Sequence, residues 1–153
     1  MSPDQTAAAP RGGISGIDEN LGDNERIVTE FIRFFYNEKD FERALGLLAE
    51  NFVNHHPGVG VGRVRTVETF REMAANPFPD FSLTIARMIA RDDQVWTHSV
   101  ARIAPDAPPS VVVDIWRIED GLLAEHWDVG QAVPAGTSLD DMISDARPPE
   151  ERT

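Results

Sequence analysis

Cysteine is absent from the 153 residues, which removes disulfides, thiolate metal sites, iron–sulfur clusters and cysteine nucleophiles together. Long apolar runs are missing too, and none approaches the roughly 18 residues that a bilayer-spanning helix needs. Residues 1–20 hold no apolar stretch of the secretory kind, so a signal peptide is not expected and a cytoplasmic location is. Positive charge is scarce: 14 Lys and Arg face 26 Asp and Glu, a net charge of −12. A surface of that sign repels phosphate backbones and anionic lipids, so neither nucleic acid nor membrane is an expected partner. Lysine itself occurs once, at Lys39, the other basic residues being arginine, a bias that hints at a GC-rich bacterial genome. What remains is 41% hydrophobic and 26% charged, enough apolar material for the core of one domain.

The acidity is uneven. Residues 1–24 carry one arginine against four acids, residues 136–153 two against five, and residues 25–135 eleven basic against seventeen acidic. Both ends are rich in Gly, Pro, Ala or Asp and lack hydrophobic periodicity. They read as a disordered N-terminal tail over 1–23 and a flexible acidic C-terminal tail over 136–153, flanking one domain over 24–135. Within the latter tail Leu139, Met142 and Ile143 could dock on a partner subunit. No internal repeat is visible.

Asp23-Asn24 offers N-cap residues to a first helix of about four turns, whose Ile27, Phe31, Phe34 and Phe35 recur at helical spacing. Asp40 can cap a second helix running through Glu50, with Ala44, Leu45, Leu47 and Leu48 inward. An extended segment, Asn51–Pro57, follows, closed by Gly58, Gly60 and Gly62. Thr66 is placed to cap a third helix with Val67, Phe70, Met73 and Ala74 on one face, and Asn76-Pro77 ends it. The period then changes to two over Phe81–Ala90, Gln94–Ala104, Ser110–Glu119 and Leu122–Gly130. Asp120-Gly121 between the last two is a strong hairpin signal. Short links join antiparallel neighbours, so the second half reads as an antiparallel meander. The fold class is α+β, with three N-terminal helices packed on one face of a curved sheet.

Strand alternation sorts the polar residues. Trp96 and His98 share a face with Gln94, Val100 and Arg102. Asp114 and Trp116 share one with Val112 and Ile118. His126 and Asp128 share another, while Leu123, Glu125, Trp127 and Val129 point away. Asp114 interrupts an apolar run, where a carboxylate is costly unless paired or chemically employed. The hairpin brings it beside His126 and Asp128. Burial between aromatic walls would raise a carboxyl's pKa and suit it to proton transfer; the alternative is a structural Asp–His or Asp–Arg pair. Of the adjacent His55 and His56, only one can line a pocket mouth. A metal site drawn from His55, His98, His126 and Asp114 or Asp128 has no recognised ligand spacing, and no metal is expected. The Gly58–Gly62 run lacks the Gly-Lys-Ser/Thr ending of a phosphate loop, and Ser99 and Ser110 have no nucleophile-elbow context.

The segment Val113-Asp114-Ile115-Trp116-Arg117-Ile118-Glu119-Asp120-Gly121-Leu122-Leu123-Ala124-Glu125-His126-Trp127-Asp128-Val129 resembles the terminal hairpin of SnoaL-like proteins, of the nuclear transport factor 2-like superfamily. Phe52-Val53-Asn54-His55-His56-Pro57 is similar to the Tyr-Val-Gln-His-Asn-Pro-type segment after that family's second helix, and the order of elements agrees over about 25–133. The resemblance implies a cone-shaped curved antiparallel sheet wrapped by helices, an apolar pocket between them, and a homodimer formed through the sheet. It also implies cofactor-independent chemistry on a small carbonyl substrate, as in polyketide cyclases that close a ring by intramolecular aldol condensation. Asp128 matches the acid/base aspartate of those cyclases, and Asp114 falls where they carry another polar pocket residue. His55 matches the family's pocket-lining histidine; His98 rests on strand phase. Asp128, Asp114 and His126 are thus the expected catalytic residues, and His55, His98, Trp96 and Trp116 the expected substrate contacts, the tryptophans stacking on a flat substrate. Isomerisation is a sister reading. Epoxide hydrolysis would want an aspartate–arginine–aspartate relay, for which Arg102 is the sheet arginine in phase, and a non-catalytic ligand-binding dimeric module is the remaining alternative.

Overall fold

The computed structural model describes residues 21–145, so residues 1–20 of the tail expected over 1–23 and residues 146–153 of the tail expected over 136–153 lie outside the described residues. The first helix, α1 (Asp23–Ile32), continues into a π-helical segment, Arg33–Glu38. Its N-cap is Gly22 rather than Asp23 or Asn24; Asp23 sits in the first turn with Glu25, where negative charge still complements the helix dipole. Val28, Phe31, Ile32, Phe34 and Phe35 are buried, as the spacing predicts. The wider π turn advances each residue by a smaller angle, so the neighbours Phe35 and Tyr36 reach the same cavity. Asn37 then serves the free edge of the sheet: its side chain accepts from the Leu83 N–H at 2.8 Å and donates to the Leu83 carbonyl at 2.9 Å.

Asp40 does cap α2 (Phe41–Gly46), accepting from the Arg43 N–H at 3.2 Å. That helix is shorter than expected, because Leu48–Asn54 form a strand, β1, instead of a further helical turn. Gly46 weakens the helix, and Leu48 and Phe52 gain burial in the sheet. A two-residue strand, β2 (Gly60–Val61), folds back on β1. Gly62, at φ 109°, turns the chain into α3 (Arg63–Ala75) and is its N-cap, while Thr66 is buried inside the helix rather than capping it.

The four expected strands are β3 (Ser82–Arg91), β4 (Gln94–Arg102), β5 (Ser110–Glu119) and β6 (Leu122–Ala132). They form the antiparallel meander, with Asp120 and Gly121 both at positive φ in the β5–β6 turn. The sheet does not stop there. β1 pairs in parallel with β6, and the order across six strands is β2-β1-β6-β5-β4-β3. Helices α1 and α3 cover one face, and the core lies between them and Leu83, Ile85, Val95, Trp116 and Leu123.

Bulges in β3 and β6 reset the alternation of those strands. Ala86 in β3 and Ala124 in β6 have no partner in the register. The second turns Leu123 inward, fully buried, rather than outward with Glu125 and Trp127 as simple alternation predicts. Downstream the phase is as expected, with His126 buried and Val129 exposed. Residues Leu139–Ile143 form a short helix, α4, capped by Ser138. It packs on the chain's own sheet: Arg87 donates to the Ile143 carbonyl at 2.6 Å and to Asp145 at 3.0 Å, and Ile143 is buried.

Candidate active site

The β5–β6 register sets Asp114 directly opposite Asp128, and Trp116 opposite His126. All four side chains are on the helix-covered face. Asp114 and His126 are sealed, at 3% and 1% exposure, and hydrogen-bond through Asp114 Oδ1 and His126 Nε2 at 2.8 Å. Asp128 is more open and accepts from His56, Oδ2 to Nδ1, at 2.7 Å. The other His126 nitrogen, Nδ1, lies 3.1 Å from Asn54 Oδ1. Two Asp–His pairs therefore stand side by side, one dry and one at the rim.

These groups form the polar end of a cavity of about 320 Å³ between sheet and helices. Its remaining wall is mainly apolar, including Phe35, Phe70, Met73, Phe81, Leu83 and Val112, with Tyr36 beside the carboxylates. The volume is at the small end of the range for small-molecule sites. A broader, more open cleft of about 410 Å³ between α2 and α3 is lined by Asp40, Glu42, Glu68 and Arg71 and contains none of the expected site residues.

Burial dominates the electrostatics. It raises the Asp114 pKa above the ordinary carboxylate value, the bond from His126 opposing and the charge of Asp128 reinforcing the rise. Burial also pushes the Tyr36 hydroxyl well up, with Asp114 and Asp128 adding to the effect, so Tyr36 is a proton donor throughout the neutral range. Asp114 Oδ2 is buried without a hydrogen-bond partner. A bare carboxylate oxygen in that position would cost several kcal/mol, and a proton on the pair removes most of that penalty.

Four expected substrate contacts are placed elsewhere. His55 lies on the opposite face, stacked on Trp127 with ring centroids 5.0 Å apart and bonded to Glu125 at 2.8 Å. His56 takes the cavity position instead, because the alternation of β1 from the buried Phe52 through Asn54 carries on to His56 just beyond the strand. Trp96 is 46% exposed on the outer face, its indole N–H bonded to Gln94 at 3.1 Å. His98 is on that same outer face beside Arg87; burial, and then the Arg87 charge, lower its pKa. The inward residues of β4 are Val95, Thr97, Ser99 and Ala101, the phase opposite to the one that Trp96 and His98 suggest. Trp116 is on the correct face but is core, stacked against His126 at 4.1 Å and meeting Phe31 edge-on at 5.5 Å; it supports the histidine rather than lining the cavity.

Arg102 is exposed on the outer face, and no arginine or lysine lines the cavity among the described residues. The aspartate–arginine–aspartate relay thus has no arginine here. Asp114, His126 and Asp128 offer ligand atoms all within 4.8 Å of one another, a donor set of the right chemistry for a divalent ion. An ion would have to displace a hydrogen bond, since both His126 nitrogens are engaged. Sequence reasoning missed Tyr36, Asn54 and His56. The signal for the last two was the phase of Phe52; Tyr36 depends on the π turn, which leaves no pattern in the sequence.

A family model described as SnoaL-like domain matches residues 28–126. No protein of curated function matches the chain. Among solved structures, TsrD from Streptomyces laurentii is similar at 24% identity and TM-score 0.60, over 76% of this chain and 92% of its own. IdmH from Streptomyces antibioticus, a candidate polyketide cyclase, is similar at 21% identity and TM-score 0.61, over 72% and 93%. An LEH-like epoxide hydrolase of M. tuberculosis is similar at 24% identity and TM-score 0.60, over 71% and 83%. These likenesses establish the shared fold. No described helix is long and apolar enough to cross a membrane.

The raised Asp114 pKa has a consequence for stability. The folded carboxyl keeps its proton after the unfolded chain has released one near the ordinary value of 3.8. That contribution is complete below this value and is lost as the pH climbs through the raised one. Asp114→Asn, which mimics the protonated acid, removes the dependence. The Tm of the wild type is expected to fall relative to that of Asp114→Asn as the pH rises above the ordinary carboxyl value of 3.8, in thermal denaturation followed by circular dichroism. A difference that is flat or rises with pH contradicts the assignment.

Proposed function

The chain belongs to the SnoaL-like domain family, and on that basis we propose that it is a cofactor-independent enzyme that moves protons on a small neutral carbonyl compound. The observation that carries this reading is the two facing carboxyls at the polar end of an apolar cavity, held in different surroundings. Pairs of titratable groups whose environments separate their protonation states divide acid and base roles between them.

Asp128 is the acid/base. The bond from His56 occupies its Oδ2, and its other oxygen takes the proton from an acidic C–H of the substrate. The oxygen that gains charge as the enolate forms needs a donor. Tyr36 supplies it: the residue lines the cavity, and its hydroxyl, buried near Asp114 and Asp128, holds its proton well above neutrality. Asp114, bonded to His126, is the second source of a proton. Returning the proton to a different carbon of the delocalised enolate completes an isomerisation, and attack of the enolate on a second carbonyl of the same molecule, whose new alkoxide takes the proton back from Asp128, completes an aldol cyclisation. The absence of arginine and lysine among the described lining residues, beside two carboxyls, favours an uncharged substrate over a carboxylate or phosphate.

A homodimer through the sheet is part of the same reading. The register aligns Ile89, Trp96, Ile115 and Trp127 in one row across the outer face of β3, β4, β5 and β6. Ile89 and Val129 are 68% and 69% exposed. An apolar row of this kind is suited to a second copy of itself.

Two experiments test these proposals. The chain in D2O is expected to exchange the α protons of neutral bicyclic ketones, 2-tetralone among them, faster than buffer, as followed by proton NMR. Asp128→Asn should slow that exchange by about 10²-fold or more while ketone binding, read by saturation transfer, persists. Exchange at the buffer rate despite binding would replace catalysis with a binding module. Light scattering on the eluting wild type should give twice the 17.0 kDa chain mass, and Trp96→Asp should give the monomer. A monomeric wild type would remove the dimer.

A further inference from the structure

Asn54 takes no part in the proton transfers assigned to Asp128, Tyr36 and Asp114, yet its amide oxygen is the acceptor of two hydrogen bonds that together define the proton inventory of the site. The backbone N–H of His56 donates to Asn54 Oδ1 at 2.9 Å, and His126 Nδ1 lies 3.1 Å from the same atom. A backbone N–H can only donate, so the atom facing it is the oxygen and not the amide nitrogen. The bond from Asn to the N–H two residues on is also the usual local turn of an Asn side chain. An oxygen fixed in this way can accept from His126 Nδ1 only if that nitrogen carries a proton.

The consequence passes through the ring. With Nδ1 protonated, Nε2 either accepts from a protonated Asp114 or donates to an ionised one across their 2.8 Å contact. In both cases one proton is held between Asp114 and His126, and the pair is neutral overall. The tautomer with hydrogen on Nε2 alone, which would leave an uncompensated buried carboxylate, is refused by Asn54. The groups facing this pair from the packed elements are Tyr36, Asp128 and His56, and Asp128 has His56 as its own partner.

We propose that Asn54 is the positioning residue that keeps His126 protonated at Nδ1 and so keeps the Asp114–His126 pair loaded with a transferable proton beside Asp128. This rests on the acid/base reading of the site. It adds a specific origin for the acid's proton, set by a β1 residue that acts through His126 and not on the substrate. The turn at the end of β1 selects the tautomer of a buried histidine on the neighbouring strand, and the selected tautomer makes Asp114 an acid.

The test is spectroscopic and uses the full chain without substrate. Protein labelled with 15N-histidine gives two-bond proton–nitrogen correlations that separate protonated from unprotonated ring nitrogens. The wild type is expected to have His126 Nδ1 in the protonated range near neutral pH. Asn54→Leu should move it to the unprotonated range, and Asn54→Asp, which retains the acceptor, should restore it. A wild-type Nδ1 without its proton overturns the proposal, as does an unchanged Nδ1 in Asn54→Leu. Should that variant fail to fold, the wild-type and Asn54→Asp spectra still decide. Absence of ketone exchange in a wild type with Nδ1 protonated would sink the catalytic reading while leaving the tautomer assignment in place.

Discussion

Two aspartates that face each other across an antiparallel pair impose the constraint from which the rest of the site follows. Directly opposite side chains on neighbouring strands come within about 5 Å at Cβ, and like charges there repel. The chain meets this by giving each carboxylate its own histidine. Asp114 takes His126 from the next strand, in a nearly dry contact; Asp128 takes His56 from the segment after β1, at the cavity rim. On the proposed reading, the inequality of the two environments, more than the presence of the acids, divides an acid role from a base role.

Each remaining element serves that arrangement. The bulge at Ala124 lets β6 bury Leu123 against the core and still point His126 and Asp128 the same way. Parallel pairing of β1 with β6 places Asn54 beside His126. The outer-face contact of His55 with Trp127 and Glu125 fixes the strand phase that leaves His56 facing inward. The π turn after α1 delivers Tyr36 over the carboxylates, and Trp116 backs the His126 ring. On the far face α4 is clasped by Arg87, which occupies His98 as well.

The meander is legible in the sequence because its turns are chemically explicit: Asp120-Gly121 sets the β5–β6 register, and that register places Asp114 and Asp128 together. Less is legible where periods coincide. Leu45, Leu47 and Leu48 fit a helix as well as a strand, and only the docking of Leu48 against β6 decides between them. The phase of β4 misleads because Trp96 is large and apolar, while the residues that turn inward there, Thr97 and Ser99, are small and polar. Family resemblance favours His55 over His56, though counting outward from Phe52 gives the inward histidine directly. Tyr36 depends on a local widening of a helix, a tertiary effect with no signature in hydrophobic spacing.

The central claim is that the facing aspartates hold different numbers of protons, and neutron diffraction from a deuterated crystal near neutral pH reads that difference atom by atom. The account predicts one deuterium between Asp114 and His126 Nε2, a second on His126 Nδ1 directed at Asn54, and none on Asp128 beyond the bond it receives from His56. A bare Nδ1, or a deuterium on Asp128 with an ionised Asp114 beside a neutral imidazole, would contradict it.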